Sequence, residues 1–139
     1  MKLSIVIPCY NEAKDIATNV EKVKSYLLDK KIASEIILVN DGSKDNTKEV
    51  IESISGVKAL SYEKNRGKGG AVKYGIENAT GDYVLFMDAD LSTDISAIEK
   101  VVELAPSYDF VIGSRHAKGS VIKKKQPVLR VLLVGAAEF

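Results

Sequence analysis

The chain has 139 residues with 20 basic and 19 acidic side chains, a formal charge of +1. No field of one sign therefore recruits nucleic acid or an anionic membrane, and any bound anion has to be held locally. A hydrophobic share of 45% and a charged share of 28% fit one folded globular core and exclude disordered or collagen-like classes.

The first apolar run, Leu3 to Ile7, predicts a strand, with the single cysteine, Cys9, expected as a small buried side chain just beyond it. One cysteine excludes an internal disulfide, and polar residues interrupt the run too soon for a signal peptide. Ile16, Val20, Val23 and Leu27 then share a helical face. Further strands are expected over Ile36 to Val39, Val57 to Tyr62, Tyr83 to Met87 and Phe110 to Ile112. Between them, helical faces are formed by Thr47, Val50, Ile51 and Ile54, by Val72, Gly75, Ile76 and Ala79, and by Ile95, Ile98, Val102 and Ala105. Asn11 and Ser43 stand where helix caps are favoured, Asp45 where a first helical turn attracts negative charge, and a helix is expected to begin near Ala71.

After Gly113 the alternation ends. Ser114 to Ser120 reads as loop, Lys123 to Lys125 as a short cationic run, and Val128 to Ala137 as an apolar tail with no further strand and helix unit. No stretch reaches the roughly 18 apolar residues of a membrane span. The order of elements predicts an α/β fold, a mainly parallel Rossmann-like sheet with helices on both faces. Ligands of such sheets bind beyond the carboxyl ends of the strands.

Those ends carry Pro8-Cys-Tyr-Asn-Glu12, Asn40-Asp-Gly-Ser43, Asn65-Arg-Gly-Lys-Gly-Gly70 and Asp88-Ala-Asp-Leu-Ser92. Asp88 and Asp90, two apart in an extended segment, would face one point while Ala89 turns aside. Two hard carboxylates suit Mg²⁺ or Mn²⁺, which complete their shells with phosphate oxygens and water. Without a cation they repel by about 4 kcal/mol at roughly 4 Å and an effective dielectric of about 20. The glycine cluster allows close backbone approach, adds the cations Arg66 and Lys68, and precedes a helix start, where phosphate is favoured. It is neither a Walker loop nor a dinucleotide fingerprint.

Ile5-Val-Ile-Pro-Cys-Tyr-Asn-Glu12, Glu35-Ile-Ile-Leu-Val-Asn-Asp-Gly-Ser43, Asn65-Arg-Gly-Lys-Gly-Gly-Ala71, Ala79-Thr-Gly-Asp82 and Met87-Asp-Ala-Asp-Leu91 resemble, in order, the motifs of the inverting family two glycosyltransferases. Val111-Ile-Gly-Ser-Arg-His116 resembles the branch containing dolichyl-phosphate mannose and glucose synthases. The resemblance implies a GT-A fold, with Pro8, Tyr10, Glu12 and Asp41 around the nucleoside of a UDP- or GDP-sugar and Lys68 facing the nucleotide. It implies Asp88 and Asp90 on metal and diphosphate, and Arg115 and Arg130 near the phosphate of a polyprenyl acceptor. Asp90 and Arg115 are then the candidate catalytic residues, while His116 is assigned no catalysis. Residues 1–113 would be the nucleotide-sugar-binding domain and residues 114–139 the start of an acceptor loop and apolar tail. The acceptor implies a place at the cytoplasmic face of a membrane. A nucleotide-sugar-binding module without catalysis, or a family two transferase with another acceptor such as a polysaccharide, stays open on these residues.

Overall fold

The computed structural model describes residues 2–92, 94–107, 110–114 and 129–134, the last two segments as backbone. Strands and helices alternate from the start: β1 (Leu3–Cys9), α1 (Ile16–Asp29), β2 (Ser34–Asp41), α2 (Thr47–Glu52), β3 (Lys58–Tyr62), α3 (Gly67–Glu77), β4 (Tyr83–Phe86) and α4 (Ala97–Leu104). A short 3₁₀ turn (Ala105–Ser107) leads on to β5 (Phe110–Ser114), and β6 (Leu129–Val134) completes the sheet.

The strand order is β3-β2-β1-β4-β6-β5. The first four strands are mutually parallel, and β6 is antiparallel to both its neighbours. Residues 129–134 of the apolar tail thus form a sheet strand, a feature that the expectation of no further strand and helix unit after Gly113 left out. It departs from the alternation of the first four strands because it enters antiparallel to β4 and β5.

Alternation along the central strands sorts their side chains to two faces. Leu3, Ile5, Ile7 and Cys9 pack with Ile16, Val20, Val23 and Leu27 of α1, Ile51 of α2, and Ile98 and Val101 of α4. On the opposite face Val6, Ile37, Val39 and Phe86 pack with Ala71 of α3. The expected covering of both faces is met, among the described residues by three helices on one side and one on the other.

Chain order runs outward from β1 to β2 and β3, then returns to place β4 on the other flank of β1. That reversal opens a crevice between the carboxyl ends of β1 and β4. Pro8 lies past the last register pair of β1 with β4, Val6 with Phe86. Its missing N–H therefore costs the ladder nothing on that side, and the chain is free to turn into the crevice.

Candidate functional site

A cleft of about 350 Å³ occupies this crevice, lined by Pro8, Tyr10, Glu12, Asp41, Lys68, Asp88 and Asp90 together with Cys9, Asn65, Gly67 and Ala89. Every site residue expected from the sequence within residues 1–113 is therefore brought to one cavity. Arg115 and His116 lie outside the described residues, as do Lys123 to Lys125. Arg130 falls in β6, whose pairing of Leu132 with Phe86 carries its backbone to the level of Asp88 at the same sheet edge.

The loops after β1 and β2 are stitched together rather than capped. Asn11, with φ of 53°, sits in the left-handed region that short polar side chains tolerate. Its N–H donates to Ser43 Oγ at 2.9 Å, and its Oδ1 accepts the N–H of Lys44 at 2.9 Å. Neither Asn11 nor Ser43 caps a helix: α1 starts at Ile16 and α2 at Thr47. Asp45 likewise precedes α2, where its carboxylate accepts the N–H groups of Thr47 at 3.0 Å and Ala13 at 3.3 Å. Thr47 Oγ1 in turn accepts the N–H of Glu12 at 2.9 Å, which fixes the backbone at the cleft wall.

Asp41 ends β2 and is 4% exposed. Its Oδ1 accepts hydrogen bonds from Tyr62 Oη at 2.6 Å and the N–H of Arg66 at 2.8 Å, and its Oδ2 accepts from Asn65 Nδ2 at 3.1 Å. Three donors from β3 and the following loop hold a buried carboxylate in place, so its desolvation is compensated. Burial first, and the bond to Asp41 second, raise the pKa of the Tyr62 hydroxyl. Sequence reading passed over Tyr62. Its position as the last residue of β3 was the available signal, by the same rule that selected Tyr10 and Asp41.

Arg66 departs from its expected phosphate role. Its guanidinium lies 4.0 Å from the ring centroid of Tyr62 and 5.4 Å from that of Tyr74. The helix expected near Ala71 starts at Gly67, so the glycine cluster forms its first turn. Gly67 has φ of 80°, a conformation that side chains rarely adopt, and this lets the chain turn into α3 beside the cleft.

Asp88 and Asp90 are not in an extended segment. Residues 88–91 form a turn in which the N–H of Leu91 donates to Asp88 O at 3.2 Å and Leu91 has φ of 54°. Asn19 Nδ2 of α1 pins the turn by donating to Ala89 O at 2.9 Å, and Ala89 is 6% exposed. Both carboxylates still line the cleft, and Ala89 lines it with them rather than turning aside. Ser92 Oγ donates to Asp88 Oδ2 at 3.1 Å, the N–H of Ser92 donates to Asp90 Oδ1 at 3.0 Å, and Lys68 Nζ donates to Asp88 Oδ1. The Glu12 carboxyl is raised above the ordinary range by burial and then by the negative charge of Asp90, so acidic groups crowd this wall.

Among the described residues no three His, Cys, Asp or Glu side chains gather into a protein cage for a metal. Two carboxylates beside an open cleft fit a hard cation that takes its remaining ligands from phosphate and water. Among the same residues no helix is long and apolar enough to cross a membrane.

Similarity to known proteins agrees with this geometry. Dolichyl-phosphate beta-glucosyltransferase of Dictyostelium discoideum is 35% identical over 149 residues, covering 95% of this chain and 46% of that protein. Dolichol-phosphate mannosyltransferase of Pyrococcus furiosus is 34% identical over 127 residues, covering 88% of this chain and 36% of that one. The chain thus spans less than half the length of either relative. Among solved structures, a mannosyltransferase from Pyrobaculum calidifontis in complex with GDP-Man and Mn²⁺ superposes with a TM-score of 0.66 at 25% identity, over 81% of this chain and 35% of that one. The sequence profile of Glycosyl transferase family 2 matches residues 4–136, and the chain belongs to that family.

Proposed function

We propose that this chain is the donor-binding side of a metal-dependent hexosyltransferase that moves a sugar from a nucleoside-diphosphate sugar to a polyprenyl phosphate. The observation that carries the reading is the cleft at the β1 and β4 crevice, where an aromatic ring, a fixed buried carboxylate, a lysine and three further acidic side chains, Glu12, Asp88 and Asp90, meet. Pro8, Tyr10, Glu12 and Asp41 surround the nucleoside in this reading, and Lys68 faces the diphosphate. Asp88 and Asp90 would hold Mg²⁺ or Mn²⁺, which when bound would supply positive charge for a nucleoside diphosphate leaving group. Residues 1–113 serve the donor, and residues 114–139 begin the acceptor side.

The acceptor needs little activation. A phosphomonoester has a second pKa near 6 and is mostly dianionic at pH 7, so it brings its own nucleophile. The task left to the protein is to align acceptor and donor and to screen their repulsion, which we assign to Arg115 and Arg130. A lipid acceptor would set this work at the cytoplasmic face of a membrane. The relatives' names, a dolichyl-phosphate glucosyltransferase and a dolichol-phosphate mannosyltransferase, support the acceptor class and leave the sugar and base to experiment.

Calorimetric titration with UDP-glucose and with GDP-mannose, each with Mn²⁺ and with chelator, tests the reading. Binding of one donor that requires the cation is expected. Equal affinity under both conditions would remove the metal from the site, and indifference to the base would remove the nucleoside pocket.

A further inference from the structure

Lys68 and Asp88 form an ion pair across the cleft, from the first turn of α3 to the turn after β4. The Asp88 side chain is 14% exposed and that of Lys68 is 47% exposed, so the lysine can leave more easily than the aspartate. The ammonium also lies 5.6 Å from the ring centroid of Phe86, an attraction that favours this position. One oxygen of the carboxylate assigned to the metal is thus already engaged by a cation from the protein itself.

We propose that Lys68 is a resident counter-ion for Asp88 that makes binding of the metal conditional on the nucleotide. A divalent cation arriving alone must displace the ammonium from Asp88 Oδ1 and is repelled by it. A nucleoside diphosphate offers Lys68 an anionic partner inside the same cleft, so the ammonium can transfer to the phosphates and leave Asp88 to the metal. Each ligand relieves a cost that the other meets alone, and the coupling is reciprocal. The inference rests on the metal role proposed above, but its test requires no turnover.

Mn²⁺ binding to the chain without nucleotide, followed by the electron paramagnetic resonance of the free ion, tests it in the wild type, Lys68→Met and Lys68→Arg. Lys68→Met is expected to bind Mn²⁺ alone roughly fivefold to tenfold more tightly than the wild type, as an ion pair of this exposure and a like-charge repulsion are both removed. Lys68→Met should also bind nucleoside diphosphate without metal more weakly, while Lys68→Arg, which keeps the charge, should stay near the wild type in both. Circular dichroism checks that the fold is kept. Mn²⁺ affinity in Lys68→Met equal to or below that of the wild type, equal gains in both variants, or no Mn²⁺ binding to any of them would overturn the proposal. Failure of the broader reading has a separate signature: nucleotide binding to the wild type that Mn²⁺ does not improve.

Discussion

Tyr62 donates its hydroxyl hydrogen to Asp41 Oδ1 at 2.6 Å, so the last residue of β3 fixes the last residue of β2 at the cleft wall. Burial first and the bond to Asp41 second raise the Tyr62 pKa above the ordinary tyrosine value, so the hydroxyl remains a donor into the alkaline range. Tyr62→Phe removes one of three donors to a buried carboxylate and is expected to cost about 1 kcal/mol, or roughly fivefold in nucleoside binding. Calorimetry with a nucleoside diphosphate and with pyrophosphate, both with Mn²⁺, checks this. The loss should appear with the nucleotide alone, because Asp41 is assigned to the nucleoside.

The two carboxylates of the turn at residues 88–91 lead to a second expectation. Asp88→Asn or Asp90→Asn keeps the volume and most hydrogen-bonding capacity but removes a charge from the wall. Each variant should lose on the order of tenfold or more in Mn²⁺-dependent nucleotide affinity, while affinity in chelator does not fall. Similar losses in chelator would assign the aspartates to the fold or to the nucleotide alone.

Much of this arrangement was legible in the sequence because it depends on period and position. Ile16, Val20, Val23 and Leu27 are all buried on α1, as their spacing requires, and the strand-end rule selected Tyr10, Asp41, Asp88 and Asp90. What stayed hidden depends on partners distant in sequence. Asn11 and Ser43 look like caps until the loops after β1 and β2 are side by side, where they bond each other. Arg66 looks like a phosphate ligand until Tyr62 and Tyr74 are found beneath its guanidinium. β6 was missed because an antiparallel partner breaks the parallel alternation that the other strands follow, although its register with β4 is regular.

The motif Ala79-Thr-Gly-Asp82, which the ligand site does not use, yields an expectation about acid. Burial alone would raise the Glu35 carboxyl, yet bonds from Ser4 Oγ at 2.6 Å and from the N–H and Oγ1 of Thr80 at 2.6 and 2.9 Å outweigh it, with help from Lys58. The net result is a pKa held down at about 2, against an ordinary value of 4.5. A depressed carboxylate contributes stability that is present above the ordinary value and lost as pH falls from about 4.5 toward 2. Screening by solvent reduces the full value of that shift to a contribution on the order of 1 to 2 kcal/mol. Glu35→Gln should be less stable than the wild type at pH 7, and the gap should close through that window. Urea unfolding at stepped pH measures it, and a gap that is constant with pH would assign the loss to packing.

Gly75 decides how closely α3 approaches the sheet, and through α3 where Lys68 stands. A Cβ at Gly75 would collide with Val6 Cγ1 and come within 3.2 Å of Val39 Cγ2, both in the core face that α3 covers. Alanine gains up to about 1 kcal/mol over glycine in helix propensity, but overpacking a filled interface costs about 1 to 3 kcal/mol. The collision is with a branched side chain fixed in a central strand, so the overpacking cost should prevail and Gly75→Ala should lose about 1 to 2 kcal/mol net. Val6→Ala removes the colliding methyl groups, and on its own leaves a cavity. The double variant Val6→Ala with Gly75→Ala should therefore be more stable than the sum of the single losses. Thermal unfolding of the four proteins gives the coupling energy directly. Strict additivity would mean that α3 shifts freely over the sheet, in which case the position of Lys68 above Asp88 is not fixed by this contact.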